Sequence, residues 1–278
     1  MAGCQLHLLG VGLVGPGLPS WTAALPVLSG KEAHVFAPTV LPPLLRLPPA
    51  ERRRAGASVK GAMAAAEAAC GDADIDPAVP ATLFTASGGD GANCHALCDV
   101  LGNPNPAERL VSPTRFTNSV HNAPAGFWHI TAGNREASTS LCAHDECFAA
   151  GLLAAVAQLQ QGDAPLLLVS SDTPYPEPLN AARPLPDMMG VALLLQRASA
   201  RPAAHPRATL SIELVPGAVA ATQCRAPGLE VLRPTIPAAR ALPLLEVLAR
   251  RERARLVVPL HDDLGLQVDI TPVEGARA

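Results

Sequence analysis

The sequence predicts an α/β protein with a mainly parallel central sheet. Short apolar segments of strand length alternate with longer segments whose apolar residues recur at helical spacing, and this alternation favours strands joined by crossover helices. One segment, APLLLVSSD at residues 164–172, is apolar along most of its length, which suits a strand covered on both faces. Both observations indicate a sheet whose two faces are buried.

The predicted strands are spread over the whole chain. Each is a run of apolar and β-branched residues that ends in a turn rich in glycine, proline, serine or aspartate. The segments are QLHLLGVGLVGPG at 5–17, ATLFTAS at 81–87, EASTSLC at 136–142, APLLLVSSD at 164–172, DMMGVALLLQ at 187–196, TLSIELVP at 209–216 and a hairpin within 254–272.

The predicted helices lie between these strands. The clearest begins with the arginine-rich residues 51–54, continues with alanine and methionine at helical spacing, and ends in a Gly/Asp turn near residue 77. Residues 18–50 contain many prolines and predict loops and short helices, because each proline removes a backbone donor. The other predicted helices cover residues 93–101, 124–131, 146–161 and 235–254.

Composition limits the classes of function. The chain has 278 residues and a net charge of −3, which gives no basic stripe for nucleic acid. Aromatic residues make up 3% of the chain, too few for platforms that stack bases. No apolar run reaches the length of a membrane span, and seven cysteines without a secretory signal predict a cytoplasmic protein with free thiols.

Several segments together resemble the N-terminal half of a β-ketoacyl synthase of the thiolase superfamily. VGLVGPG is similar to that family's opening strand and turn, and ASGGDG to the turn after its next strand. NAPAGFWHITAGNR resembles the helix that begins Asn-x-x-Ala-Gly and ends Gly-x-Arg, and GDAPLLLVSSD resembles the turn and strand after the nucleophile helix. The ordered set spans roughly residues 5–197.

The resemblance implies a thiolase-like α/β/α half-fold with a mainly parallel central sheet. Residues 1–200 are then expected to form a β-ketoacyl synthase N-terminal-like domain. Residues 201–278 are expected to form a short C-terminal α/β extension that packs on the same fold.

The resemblance also assigns a position to the family's nucleophilic cysteine, and Asp145 occupies it. Counting forward from Gly126 without a gap, and backward from residues 162–164, leads to the same residue. The partial positive charge of a helix N-terminus stabilises a carboxylate there by about 0.3–1 kcal/mol, and aspartate is a common N-cap. An ionised carboxylate is a poor acyl acceptor, so we expect no catalysis at this position.

The histidines that complete a condensing enzyme of this family are also absent. They come from a His-Gly-Thr-Gly-Thr stretch and a Lys-x-x-x-Gly-His stretch in the C-terminal half, and neither occurs in this sequence. The only histidines after Asp145 are His205 and His261, in unrelated contexts. The usual catalytic triad is therefore not available from this chain.

A resemblance to a more specific group of proteins agrees with the absence of the nucleophilic cysteine and of the histidine stretches. SVHNAPAGFWHITAGNREAST, FAAGLLAA and the loop DTPYPEP are similar to short ketosynthase-like proteins known as chain length factors, which accompany aryl polyene and related pigment gene clusters. That resemblance implies a noncatalytic subunit that forms a heterodimer with an active β-ketoacyl synthase in polyene, polyketide or fatty-acid-type biosynthesis. It also implies chains carried by acyl carrier protein, with a homodimer as the alternative assembly in isolation.

The dimer contacts implied by the resemblance come from the predicted helix at 124–131 and from the strand before Asp145. In thiolase-like proteins this strand lies near the dimer seam. We therefore expect five residues at the interface: Asn122, Phe127, Trp128, Ser138 and Ser140.

A stand-alone cysteine-dependent acyltransferase or condensing enzyme is the alternative function. Cys142 and Cys147 flank Asp145, and a nucleophilic thiol needs a base within hydrogen-bond reach. His121 or His144 would supply that base. A strand that continued as far as His144 would place Cys142 and His144 on the same face.

The cysteines and histidines also raise the question of zinc. Cys94 and Cys98 are spaced to share one face of a helix, and the further candidate ligands are His95, Cys142, His144 and Cys147. Structural zinc sites favour tight Cys-x-x-Cys loops, whereas these cysteines lie in apolar elements. We therefore expect free thiols, no metal and no cofactor.

Overall fold

The computed structural model describes residues 4–217 and 220–273. The outermost residues of the predicted domains, 1–3 and 274–278, lie outside the described residues. Within the described residues, the sheet contains eight strands: β1 (Cys4–Val14), β2 (Ala81–Ala86), β3 (Ser138–Cys142), β4 (Leu166–Asp172), β5 (Met189–Arg197), β6 (Ala208–Pro216), β7 (Ala254–His261) and β8 (Leu264–Pro272).

The helices of the described residues are α1 (Trp21–Leu28), α2 (Pro49–Arg54), α3 (Ala57–Ala73), α4 (Gly91–Leu101), α5 (Pro113–Thr117), α6 (Ala123–Ala132), α7 (Cys147–Leu159), α8 (Leu179–Ala182), α9 (Pro227–Leu232) and α10 (Leu242–Arg250). Single 3-10 turns occur at Pro106–Glu108, His144–Glu146 and Pro237–Ala241. No helix in this part of the chain has both the length and the hydropathy of a membrane span.

Two of the predicted helices are divided in the structure. The helix expected at 51–77 is split at Ala55, whose backbone is extended, into α2 and α3. The helix expected at 235–254 is split into a 3-10 turn and α10, because Pro237 and Pro243 each stand in the first turn of a new helical segment.

The sheet is mixed rather than mainly parallel. Its strand order is β3-β2-β4-β5-β1-β6-β8-β7. The strand β2 runs parallel to β3 and to β4, and every other neighbouring pair is antiparallel. The predicted parallel arrangement therefore holds only for these three strands. The chain between β4 and β5 contains only the four-residue helix α8, so β5 returns beside β4 without a crossover over the sheet.

Helices cover both faces of the sheet, which confirms the predicted thiolase-like α/β/α arrangement. One buried cluster joins α1, α7, α9 and α10 to one face, with Phe148 and Leu152 of α7 among its largest side chains. A second cluster joins α3 and α6 to the other face and includes Met63 and Trp128. The alternation of helices and strands that the sequence shows is the source of these two layers.

Helix α3 lies unusually close to the strand β1. A side chain at Gly10 or Gly12 would collide with the carbonyl oxygens of Ala69 and Ala65, which belong to the backbone of α3. The glycines on the strand and the alanines on the helix therefore set the distance between the two elements, because only small residues fit there.

The C-terminal segment belongs to the same sheet. Strand β6 pairs with β1, and β8 and β7 continue the sheet beyond it. The domain boundary predicted at residue 200 falls in the turn after β5 and stays a prediction. Its 3-10 turn contacts two parts of the N-terminal region: the Ala238 N–H donates to Asp172 at the end of β4, and Arg240 donates to Glu146 in the turn before α7.

The two edges of the sheet differ in how well they are covered. At the β7 edge, the Val257 N–H donates to the Thr222 hydroxyl at 2.8 Å, and the Thr222 N–H donates to the Val257 carbonyl at 3.0 Å. That edge also carries Pro259 and a shift of register, both of which hinder further pairing. In the described residues, β3 pairs on one side with β2 and has no strand on its other side.

Candidate functional site

The turn between β3 and α7 has an uncommon backbone conformation. The strand ends at Cys142, and His144 has a φ of +49°, in the left-handed region that residues other than glycine rarely adopt. A 3-10 turn over His144–Glu146 then leads into α7. Because the strand ends before His144, the shared strand face that the sequence suggested for Cys142 and His144 does not exist.

Asp145 is held in this turn by two arginines. Its carboxylate accepts a hydrogen bond from Arg183 and lies 3.4 Å from the Arg240 guanidinium. Arg240 also donates to Glu146 at 3.1 Å. The N-cap role expected for Asp145 is wrong, because α7 has Glu146 at its N-cap position and no side-chain cap hydrogen bond. Asp145 is instead one member of a compact cluster of alternating charges.

The arginines reach Asp145 from distant parts of the sequence. Arg183 lies just after α8 and also donates to the Tyr175 hydroxyl, with its guanidinium carbon 5.2 Å from the centre of that ring. The Tyr175 hydroxyl is 2.7 Å from the Ser87 hydroxyl at the end of β2. A single network of polar contacts therefore connects Asp145 with the loop after β4 and with the end of β2.

Asp172, at the carboxyl end of β4, is a second carboxylate beside this network and is buried. It accepts the Ser87 N–H at 2.7 Å and the Ala238 N–H at 2.9 Å. Burial raises the pKa of Asp172, although these hydrogen bonds and the Arg183 charge act in the opposite direction. Asp172 joins three segments of the chain, which indicates a structural role.

Replacement of Asp172 tests that role. Under mildly acidic conditions, we expect Asp172→Asn to lower the free energy of unfolding by about 1–3 kcal/mol, because the amide turns its NH2 group toward one of the two backbone donors. Urea unfolding measures the effect, and Asp262→Asn on the exposed β7–β8 turn is the control. Equal stability of the Asp172→Asn variant and the wild type would contradict this role.

The difference in the free energy of unfolding between the wild type and Asp172→Asn is also expected to depend on pH. Because the pKa of Asp172 is raised above its usual value of 3.8, the folded chain keeps this proton to higher pH than the unfolded chain. The resulting stabilisation is complete below the unfolded pKa and is lost as the pH rises through the folded pKa. The wild type should therefore lose part of its advantage over Asp172→Asn in the free energy of unfolding as the pH rises.

The two cysteines proposed as alternative nucleophiles are poorly suited to the role. Cys147 is fully buried, and burial together with the Asp172 charge raises the pKa of its thiol well above 9.0. Cys142 is exposed, but partial burial and the Asp172 charge also raise its pKa. A nucleophilic thiol needs the opposite environment, one that stabilises the thiolate.

The candidate bases do not contact these thiols. His144 is exposed and lies 3.6 Å from the Asp145 carboxylate. His121 is exposed at the start of α6, and its ring makes no hydrogen bond with the residues that the structure describes. All seven cysteines are free thiols, and across residues 4–217 and 220–273 no three His, Cys, Asp or Glu side chains gather as metal ligands would.

Four of the five predicted interface residues are accessible, and Trp128 is not. Asn122 and Ser138 are exposed, and Phe127 and Ser140 are half-buried. Trp128 is 0% exposed because it forms part of the core between α6, α3 and the sheet. Its assignment to an interface is therefore wrong, since no partner can reach it without unfolding α6.

A large open cleft lies between α4, α6 and the strand β3. Its volume is about 710 Å³, and its walls include Cys94, His121 and the two β3 serines, Ser138 and Ser140. At its floor, His129 is 2.8 Å from the Thr82 hydroxyl, and Thr82 is 2.9 Å from the Ser138 hydroxyl. This chain of contacts positions the β3 edge relative to α6.

The segment between β2 and α6 is largely uncovered. From residue 86 to residue 117, all of them described, no residue is buried, although the segment includes α4 and α5. Its exposed apolar side chains include Leu101, Leu110 and Phe116, at 55%, 80% and 69% exposure. Helices normally bury an apolar stripe, so this segment presents an apolar surface that the chain itself does not cover.

The layered sheet and the strand–turn–helix around Asp145 define a thiolase-like ketosynthase fold. Residues 29–244 match the family described as beta-ketoacyl synthase, N-terminal domain, and the chain belongs to this family. No curated protein matches the sequence.

Solved structures show the same fold at low sequence identity. A chain from the complex of the ketosynthase ApeO with its chain length factor ApeC from Xenorhabdus doucetiae is 21% identical, with a TM-score of 0.71 over 95% of this chain and 99% of that chain. The ishigamide ketosynthase/chain length factor is 16% identical, with a TM-score of 0.71 over 97% and 99%. A type II polyketide ketosynthase structure with its acyl carrier protein, AntDE:AntF, is 12% identical, with a TM-score of 0.70 over 98% and 100%.

Proposed function

We propose that the chain is a noncatalytic, chain-length-factor-like subunit that pairs with an active β-ketoacyl synthase. The pair would extend chains carried by acyl carrier protein in polyene, polyketide or fatty-acid-type biosynthesis. The observation that carries the proposal is Asp145, which occupies the nucleophile-equivalent position and is bound there by Arg183 and Arg240. Solved structures of ketosynthases with chain length factors and with an acyl carrier protein share this fold.

The charge cluster disfavours acyl transfer at Asp145. A carboxylate whose oxygens are already bound by two guanidinium groups has little tendency to attack a thioester. The neighbouring Cys147 is buried and protonated, and its carboxylate neighbour, Asp172, further opposes thiolate formation. The stand-alone thiol enzyme is therefore the weaker proposal for both Cys142 and Cys147.

The open edge of β3 supports pairing with a second subunit. The Thr82 N–H donates to the Ala137 carbonyl at 2.9 Å, so the backbone groups of residue 137 face β2. Backbone groups alternate in direction along a strand, so the N–H and C=O groups of Ser138 and Ser140 face away from the sheet. An unpaired edge of this kind is a template for a strand from another chain.

The uncovered segment at residues 86–117 continues the same surface. The cleft beside β3 is lined by both Cys94 of α4 and Ser140 of β3, so the segment and the strand edge are adjacent. A partner that covered the strand edge, the cleft and the apolar residues of α4 and α5 would bury an area typical of stable complexes, about 1,200–2,000 Å² or more. Asn122 lines the cleft and lies on this surface, whereas Phe127 does not line the cleft and Trp128 is buried.

Coexpression with an active β-ketoacyl synthase encoded beside the gene is the direct experiment. We expect the two chains to copurify as a heterodimer at equal stoichiometry, measured by size-exclusion chromatography with light scattering. The chain alone is expected to form a homodimer through the same surface. A monodisperse monomer that ignores every coexpressed ketosynthase would contradict the proposal.

Thiol labelling gives a second prediction about this surface. In the isolated chain, iodoacetamide should modify the exposed thiols, including Cys94, before the buried thiols of Cys70, Cys147 and Cys224. In the heterodimer, we expect much slower modification of Cys94, because it lines the cleft that the partner would cover. Mass spectrometry of tryptic peptides measures each rate. An unchanged Cys94 rate in a heterodimer would show that the partner binds elsewhere.

A further inference from the structure

A second cavity lies on the outer side of α6, against the residues that lead into α2, and it shares Val120, Asn122 and Gly126 with the cleft beside β3. This α6 cavity has a volume of about 430 Å³, and its apolar walls include Leu47, Val120, Phe127 and Ile130. Cavities that bind small molecules have volumes of about 300–1,000 Å³ and mostly apolar walls. The α6 cavity therefore has the size and the lining of a small-molecule site.

The walls favour a hydrocarbon over a polar ligand. Ile130 is 84% exposed and Val120 is 50% exposed, so apolar surface faces water around the opening. The hydroxyl groups in the lining already donate to backbone carbonyls, that of Thr131 to Phe127 and that of Thr117 to Pro113. A ligand rich in hydroxyl groups would find few partners, whereas an alkyl chain would cover the exposed apolar surface.

The rim of the α6 cavity carries an exposed cation, Arg46. Its guanidinium forms no hydrogen bond or ion pair with the residues that the structure describes, although its charge acts on Glu67 of α3 and opposes the rise in the pKa of that carboxyl group. The acid at the same rim, Glu51, is bound by Arg54 at 3.1 Å. Arg52 donates to the Leu47 carbonyl at 2.9 Å, and its charge also acts on Glu67. Three arginines, at positions 46, 52 and 54, are therefore set against two acids, at positions 51 and 67. This excess favours a ligand with a negative charge at one end.

We infer that the α6 cavity binds a long-chain fatty carboxylate, with the alkyl chain against Phe127 and Ile130 and the carboxylate beside Arg46. The inference goes beyond the proposed function, because binding requires this chain alone. The inference does not depend on the proposed heterodimer, because a chain that fails to bind a ketosynthase still contains the α6 cavity.

Titration calorimetry of the full-length chain with sodium dodecanoate, below its micellar concentration, tests the inference. We expect saturable binding at one site per chain and no measurable binding of butyrate. For chain lengths in between, the affinity should rise by up to about 15-fold for every two methylenes. Absence of saturable dodecanoate binding would overturn the inference. Binding of dodecanoyl pantetheine without binding of dodecanoate would also overturn it, in favour of a carrier-linked chain.

A pair of arginine variants tests the position of the carboxylate. Arg46→Gln should weaken dodecanoate binding by about fivefold, the contribution of one exposed ion pair, and should leave dodecanol binding unchanged. The control is Arg53→Gln, which removes a neighbouring exposed charge that does not line the cavity. Equal loss in both variants, or no loss in either, would overturn the inference. Circular dichroism confirms that each variant is folded.

Discussion

Ser140→Pro is expected to abolish copurification with an active β-ketoacyl synthase while the chain remains folded. The backbone N–H of Ser140 faces away from β2, so its loss removes a donor from the open edge without removing a hydrogen bond of the sheet. Proline is tolerated on an edge strand when its nitrogen faces outward, and it blocks the addition of another strand.

Two further variants separate loss of pairing from loss of folding. Ser140→Ala keeps the outward N–H and should copurify like the wild type. Thr139→Pro removes an N–H that faces β2, so it should lower the melting temperature by breaking the sheet ladder. Copurification and thermal unfolding are measured for all three. Normal copurification of Ser140→Pro would show that the partner does not pair with β3.

The strand pattern made much of the fold predictable, and the direction of pairing was the part that it did not determine. Four segments near 81–87, 136–142, 164–172 and 187–196 were expected as strands, and each one overlaps a strand of the sheet. The chain between β4 and β5 is long enough for a crossover helix in principle. It contains prolines and only one helical turn, so β5 pairs antiparallel instead.

The position of Asp145 was predictable from spacing, whereas its partners were not. The residue spacing that identified Asp145 runs along one continuous strand, turn and helix. The structure contains these elements as β3, the 3-10 turn at His144–Glu146 and α7. Arg183 lies 38 residues from Asp145, and Arg240 lies 94 residues from Glu146, so only the folded chain brings these side chains together. The sequence did single out the loop after β4, but nothing local marked Arg183.

Trp128 shows that the sequence did not determine which face of α6 packs on the core. Helix α6 has apolar residues on more than one side, because it packs on the core with Trp128 and lines a surface cavity with Phe127 and Ile130. In a ten-residue helix with apolar residues around it, sequence spacing does not distinguish the face that meets the core from the face that meets a partner. Burial in the folded chain makes that distinction.

In the heterodimer, condensation is expected to depend on the partner's nucleophilic cysteine and on no thiol of this chain. Replacing that cysteine with alanine should reduce condensation of acyl and malonyl groups on acyl carrier protein to the background. Cys142→Ala, Cys147→Ala and Asp145→Asn should each leave most of the activity, because none of these side chains offers a thiolate or an acyl acceptor. Product is measured by mass spectrometry of the acyl carrier protein.

The same assay on the isolated chain distinguishes the two candidate functions. We expect no condensation by the wild type, since Asp145 is bound by Arg183 and Arg240 and the family's histidine stretches are absent. Cys147→Ala leaves a small cavity beside Asp172, so its folding is checked by circular dichroism before its activity is interpreted. Condensation by the isolated chain that disappears in Cys142→Ala or Cys147→Ala would establish the thiol enzyme and refute the noncatalytic subunit.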